Sequence, residues 1–133
     1  MPRDTKKTIK RLAAQLFVFP IEEYLSSERF LIFCRDNDLG DVWREKLEFS
    51  RDTPDLYGSA VIQNALVLFL HHIFQSRQGE FPELFTRFLR GFSQEISQTL
   101  PVDDLKKDFV YLGYPDNEID IEFSTLKANA DDH

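Results

Sequence analysis

The chain has one cysteine, Cys34, one methionine and one tryptophan in 133 residues. A lone cysteine excludes an intrachain disulfide framework and fits a reducing compartment. Glycine is scarce, at 5, and no Asn-Gly or Asp-Gly pair occurs, so the strongest hairpin signal is missing. No segment sustains strict alternation of apolar and polar residues, which argues against a β-rich domain. The longest uninterrupted apolar run is ALVLFL at 65–70, far below the length that spans a bilayer. A basic start followed by LAAQLFVF superficially matches a secretory leader. The run is short, the acidic IEEYL follows it, and no small-residue cleavage site is present, so a leader is not expected. The expected location is the cytoplasm.

What is present in quantity is apolar and aromatic. Hydrophobic residues make up 42% and charged residues 29%, the balance of a folded domain rather than a disordered one. Thirteen residues are phenylalanine, which has no polar handle and belongs in a core or against a partner. The length is that of one domain and suffices to bury roughly two-thirds of the unfolded surface. The reading is a single helical domain over 1–127 and a frayed tail at 128–133.

Six prolines divide the chain into pieces of helical length. A first helix is expected from Thr5 to Val18 with Asp4 as N-cap and Ile9, Leu12, Ala13 and Leu16 on one face. A second runs from Ile21 to Arg35 with a break near Ser26–Ser27, and Asn37-Asp38-Leu39-Gly40 ends it. A third covers Asp41 to Phe49. The fourth is expected to start with Thr53 as N-cap and Pro54 at its first position and to reach Gln75. Between Ala65 and Phe74 it is apolar nearly all round, which marks a central helix. The fifth, Pro82 to Gln98, has Phe81, Leu84, Phe85, Phe88, Leu89, Phe92 and Ile96 at helical spacing, the strongest periodic signal in the chain. A sixth opens after Pro101 with Asp103 and Asp104 favourable at its N-terminus and Gly113 beyond its end. Over 116–127 the pattern fits a seventh helix, through Ile119, Phe123 and Leu126, or a strand, with helix preferred. The fold class is therefore all-α: a compact orthogonal bundle of about six to seven short helices.

The net charge is −7, which repels nucleic-acid phosphate and anionic lipid at long range. It is unevenly spread. Arg3, Lys6, Lys7, Lys10 and Arg11 crowd the first eleven residues against Asp4 alone, and nine acidic side chains follow from Asp103 onward against Lys106, Lys107 and Lys127. An acidic protein surface explains the basic first helix better than nucleic acid does.

Catalytic and metal-binding patterns are missing. His71 and His72 are adjacent, so on a helix they point about 100° apart and do not chelate one ion together; metal helices use an i, i+4 pair. Neither follows an Arg at the short spacing of helical ribonucleases of the HEPN type. RDNDLGD at 35–41 fails as a calcium loop, because Gly40 falls at the fifth position and Leu47 at the twelfth. Cys34 follows an apolar run and reads as a structural thiol. No metal, cofactor or small-molecule ligand is expected. In layout alone, the row of short amphipathic helices resembles death-fold adaptors and the small helical domains that accompany bacterial defence effectors, and no matched residue carries a site across.

The expected function is a non-enzymatic protein–protein interaction domain, of the adaptor, inhibitor or antitoxin/immunity type, acting through a helical surface. Its candidate partner-binding residues are Trp43, Tyr57, Tyr111 and Tyr114, since aromatics enrich interface hot spots, and the basic Lys6, Lys7, Lys10 and Arg11. The partner is another protein or a second copy. The alternatives are an enzyme without a readable motif, built on His71, His72 and carboxylates, and a subunit of a helical homo-oligomer with an exposed apolar stripe on the fifth helix.

Overall fold

The computed structural model describes residues 5–117, 119–120 and 123–124. Among them are seven α-helices and no strand: α1 (Thr5–Ala14), α2 (Ile21–Leu25), α3 (Glu28–Asp36), α4 (Gly40–Arg51), α5 (Ser59–Ser76), α6 (Phe81–Ile96) and α7 (Val102–Tyr111), with one 3₁₀ turn, Gln78–Glu80. The chain is thus an all-α bundle. Helix α5 packs along α4 and against α1, α6 packs on α3 and α2, and α1 also meets α7. Of 116–127, the described residues 116–117, 119–120 and 123–124 are helical, and Ile119 and Phe123 are buried. Asp4, residues 125–127 and the tail at 128–133 lie outside the described residues.

Two boundaries differ from expectation and the expected break near Ser26–Ser27 is present, each for a local reason. Helix α1 ends at Ala14 rather than Val18. Leu16 N–H bonds to the Ala13 carbonyl (2.9 Å) and Phe19 N–H to Leu16 (3.1 Å), a tightened turn before Pro20, which disfavours helical backbone in the residue ahead of it. The segment 21–35 is two helices, because Ser27 Oγ accepts from Phe30 N–H at 3.3 Å and donates to the Tyr24 carbonyl at 2.6 Å, which makes it a new N-cap. Helix α5 starts at Ser59, not at Pro54. Thr53 donates its hydroxyl to the Phe49 carbonyl at 2.9 Å, closing α4 instead of opening α5. Gly58 then takes φ 64°, ψ −136°, a backbone shape open to glycine alone.

The core is aromatic. Of thirteen phenylalanines nine are buried, and Phe49 is the exposed one, so the surplus rings are absorbed inside. The stripe on α6 from Phe81 to Phe92 is buried, which removes it as an oligomer face. At the centre the Tyr24 ring lies 5.3–5.4 Å from Phe30, Phe88 and Phe92. Its hydroxyl is fully buried without a hydrogen-bond partner among the described residues, and burial holds its pKa well above the ordinary tyrosine value.

That hydroxyl explains Gly91 on α6, where an added Cβ would stand 2.6 Å from it. Alanine is about 1 kcal/mol better than glycine in a helix, yet Gly91→Ala is expected to destabilise by about 1–3 kcal/mol through overpacking. Tyr24→Phe removes an unsatisfied buried hydroxyl and should stabilise by about 1 kcal/mol. In that background the Gly91→Ala penalty should shrink, since the nearest ring carbons lie at 3.3 Å. Urea unfolding of the four proteins of this cycle checks it, and a stabilising Gly91→Ala in the parent chain would sink the explanation.

Candidate functional site

The apolar face of α1, Ile9, Leu12, Ala13 and Leu16, is wholly buried, and this docking leaves one edge of the helix along a seam with α5. Lys6, Lys10, Ala14 and, past the helix end, Phe17 form that edge at i, i+4, i+8 and i+11. Across from them Ala60, Gln63, Asn64, Val67 and Leu68 form a matching stripe on α5, and Leu56, ahead of that helix, joins the lining. Between the two stripes lies a groove of about 540 Å³, of the size that takes bound side chains or a ligand. The small Ala14 and Ala60 leave the walls apart, while Asn64 is held by Ser50 through a 2.9 Å hydrogen bond.

The two helices run antiparallel here. Lys6, early in α1, acts electrostatically on His71, late in α5. Phe17, just after α1, meets Gln63, near the start of α5, in a second depression of about 230 Å³ that continues the first. Glu22 and Glu23 border this second depression.

The ends of the combined groove carry opposite charge. At the α1 start stand Lys6 and Lys10, with Lys46 of α4 and His71 beside them. Partial burial first, then the Lys6 and Lys46 ammonium groups, lower the His71 pKa, the two lysines adding to the effect of burial. No ion pair engages Lys6 or Lys10 among the described residues, whereas Lys46 lies 3.4 Å from Glu45.

The other residues singled out in the sequence scatter. Trp43 is 7% exposed, with its ring 5.2 Å from Phe30 and 5.4 Å from Phe69; it belongs to the core. Tyr114 is half-buried against Phe74, Phe81 and Phe109, its hydroxyl donates to the Gln78 carbonyl, and burial raises its pKa. Arg11 is occupied by a second helix. Its Nε and Nη2 both lie 2.8 Å from Asp108 Oδ1 on α7, and its guanidinium carbon is 5.1 Å from the Tyr111 ring centre. Gln15 donates to the other Asp108 oxygen. Part of the charge asymmetry of the sequence is thus consumed within the molecule. Lys7 is exposed on α1, and Tyr57, next to Leu56, is 83% exposed.

Only Lys6 and Lys10 of the eight candidates line the groove. Ala14, Ala60, Gln63 and Val67 were invisible as site residues in the sequence. The i, i+4, i+8 series from Lys6 to Ala14 was the available signal, and it says nothing of what lies opposite. No group of three or more His, Cys, Asp or Glu side chains converges among the described residues. Burial pushes the Cys34 thiol up to about 12, leaving it a neutral, unreactive thiol at physiological pH. None of the helices is long and apolar enough to cross a membrane among the described residues. Comparison with known protein families, curated proteins and solved structures gives no match.

Proposed function

We propose that this chain is a non-enzymatic protein-binding domain that holds a helical segment of a partner in the groove between α1 and α5. The observation that carries the reading is the groove itself. It is apolar along its length through Ala14, Phe17, Leu56, Ala60, Val67 and Leu68, it is open to solvent, and it runs parallel to two helix axes. That is the shape which takes the apolar face of an amphipathic helix by its i, i+3, i+4 and i+7 side chains. Tyr57 and Val18 support it as exposed apolar groups, 83% and 82% accessible, adjoining the groove residues Leu56 and Phe17.

The test is comparative affinity capture from native extract, with nuclease treatment, using the parent chain, Ala14→Trp and Leu31→Ser. Ala14 is exposed, so tryptophan there fills the groove without disturbing the core; Leu31 is exposed on α3, away from it. The expected result is one stoichiometric protein that survives nuclease, is lost with Ala14→Trp and is retained with Leu31→Ser. A partner held equally by Ala14→Trp, a catch that nuclease removes, or recovery of the chain alone would overturn the reading.

A further inference from the structure

We infer that the groove is directional: it takes a charge-polarised amphipathic α-helix whose acidic C-terminal end lies over Lys6 and Lys10 and whose basic N-terminal end lies against Glu22 and Glu23. This rests on the groove reading above and adds the orientation and charge of the partner to it.

The two depressions share Phe17 and Gln63, so one helix axis passes over both. Helix α1 has ten residues and is therefore about 15 Å long, so a partner of roughly three to four turns covers the groove. A helix carries about half a positive charge at its N-terminus and half a negative one at its C-terminus. In one orientation both ends meet opposite charge on this chain; in the other both meet like charge. The cationic end stands out because the whole chain is at −7, and Lys6 and Lys10 are not engaged in ion pairs among the described residues. Neighbouring Arg11, by contrast, is neutralised by Asp108. Carboxylates in the last turn of the partner complete the match. They oppose that helix's own dipole, so such a segment is poorly helical when free and becomes helical on docking.

The experiment selects from a displayed library of stapled helices of about fourteen residues. Leucines are fixed at i, i+3, i+4 and i+7, and the terminal positions at both ends are drawn from Glu, Gln and Lys. Full-length chain is the bait, and the groove-filled variants Ala14→Trp and Ala60→Trp are counter-baits from the two walls. The expected outcome is enrichment of Glu at the C-terminal end and Lys at the N-terminal end. The selected peptide should bind about tenfold tighter than the same peptide with its ends exchanged, the scale of a few partly exposed charge pairs. Lys6→Glu/Lys10→Glu should abolish or reverse that preference, and the His71 ring resonances should shift on binding. Peptides that require an open groove but show no charge order, or the opposite order, overturn the direction and leave the groove reading standing. Failure to obtain any peptide that distinguishes the parent chain from both filled variants overturns the two together.

Discussion

Replacing Phe30 with alanine is expected to remove about 3–5 kcal/mol of stability, the cost of emptying a large aromatic site in a packed core. The reason is its position. The Phe30 ring is fully buried and lies 5.2–6.1 Å from Tyr24, Phe33, Trp43, Phe69 and Phe88. Those rings come from α2, α3, α4, α5 and α6, so one side chain joins five of the seven helices. Four of these pairs are edge-on and the one with Phe33 is stacked; pairs of either kind add about 0.5–1.5 kcal/mol each beyond the area they bury. Against a total of about 5–15 kcal/mol, the variant should lie close to unfolding at room temperature. Guanidinium unfolding measures it, with Phe49→Ala as the exposed counterpart expected to stay within about 0.5 kcal/mol of the parent. A Phe30→Ala loss no larger than that of Phe49→Ala would show that the aromatic junction does not hold the bundle.

Arg11→Met should destabilise by about 2–3 kcal/mol, far more than a surface arginine normally contributes. Asp108 is 4% exposed, and without the guanidinium its carboxylate would be left buried against the Gln15 amide. An uncompensated buried charge is the expensive element; because the Arg11 side chain is half exposed, the cost falls below that of a fully interior pair. The companion variant Arg11→Met/Asp108→Leu should recover most of the loss, since it removes both charges and leaves none stranded. If the double variant is as unstable as the two single losses summed, the pair is not coupled and α7 is held to α1 by its apolar contacts.

Periodicity carried most of the fold. The α6 stripe and the α1 face of Ile9, Leu12, Ala13 and Leu16 were legible because burial repeats every third or fourth residue, a property of the helix alone. The start of α5 was not. Thr-Pro-Asp suits a helix N-terminus and a turn equally well, and the choice went to the turn when Thr53 capped α4 and Gly58 took a positive φ. Trp43 shows the same limit at the level of packing: its residue type fits an interface and a core alike, and contacts from α3 and α5 decided for the core. The candidate site was half legible. Lys6 and Lys10 stood out as a basic edge, but the groove exists only because Ala60 and Val67, fifty or more residues away, face them. The pairing of Arg11 with Asp108 lies deeper still, since a charge gradient along the sequence names no partners.

That pairing spans 97 residues, and its consequence reaches into synthesis. At the usual elongation rate of about 5–20 residues per second, α1 waits roughly 5–20 seconds in the nascent chain before α7 is made. Until α5 emerges its stripe of Ile9, Leu12 and Leu16 has nothing to cover it, and an isolated helix of this length is marginal in water. Contacts between such distant segments close late and slow folding, so α1, seated early against α5, receives its α7 anchor last.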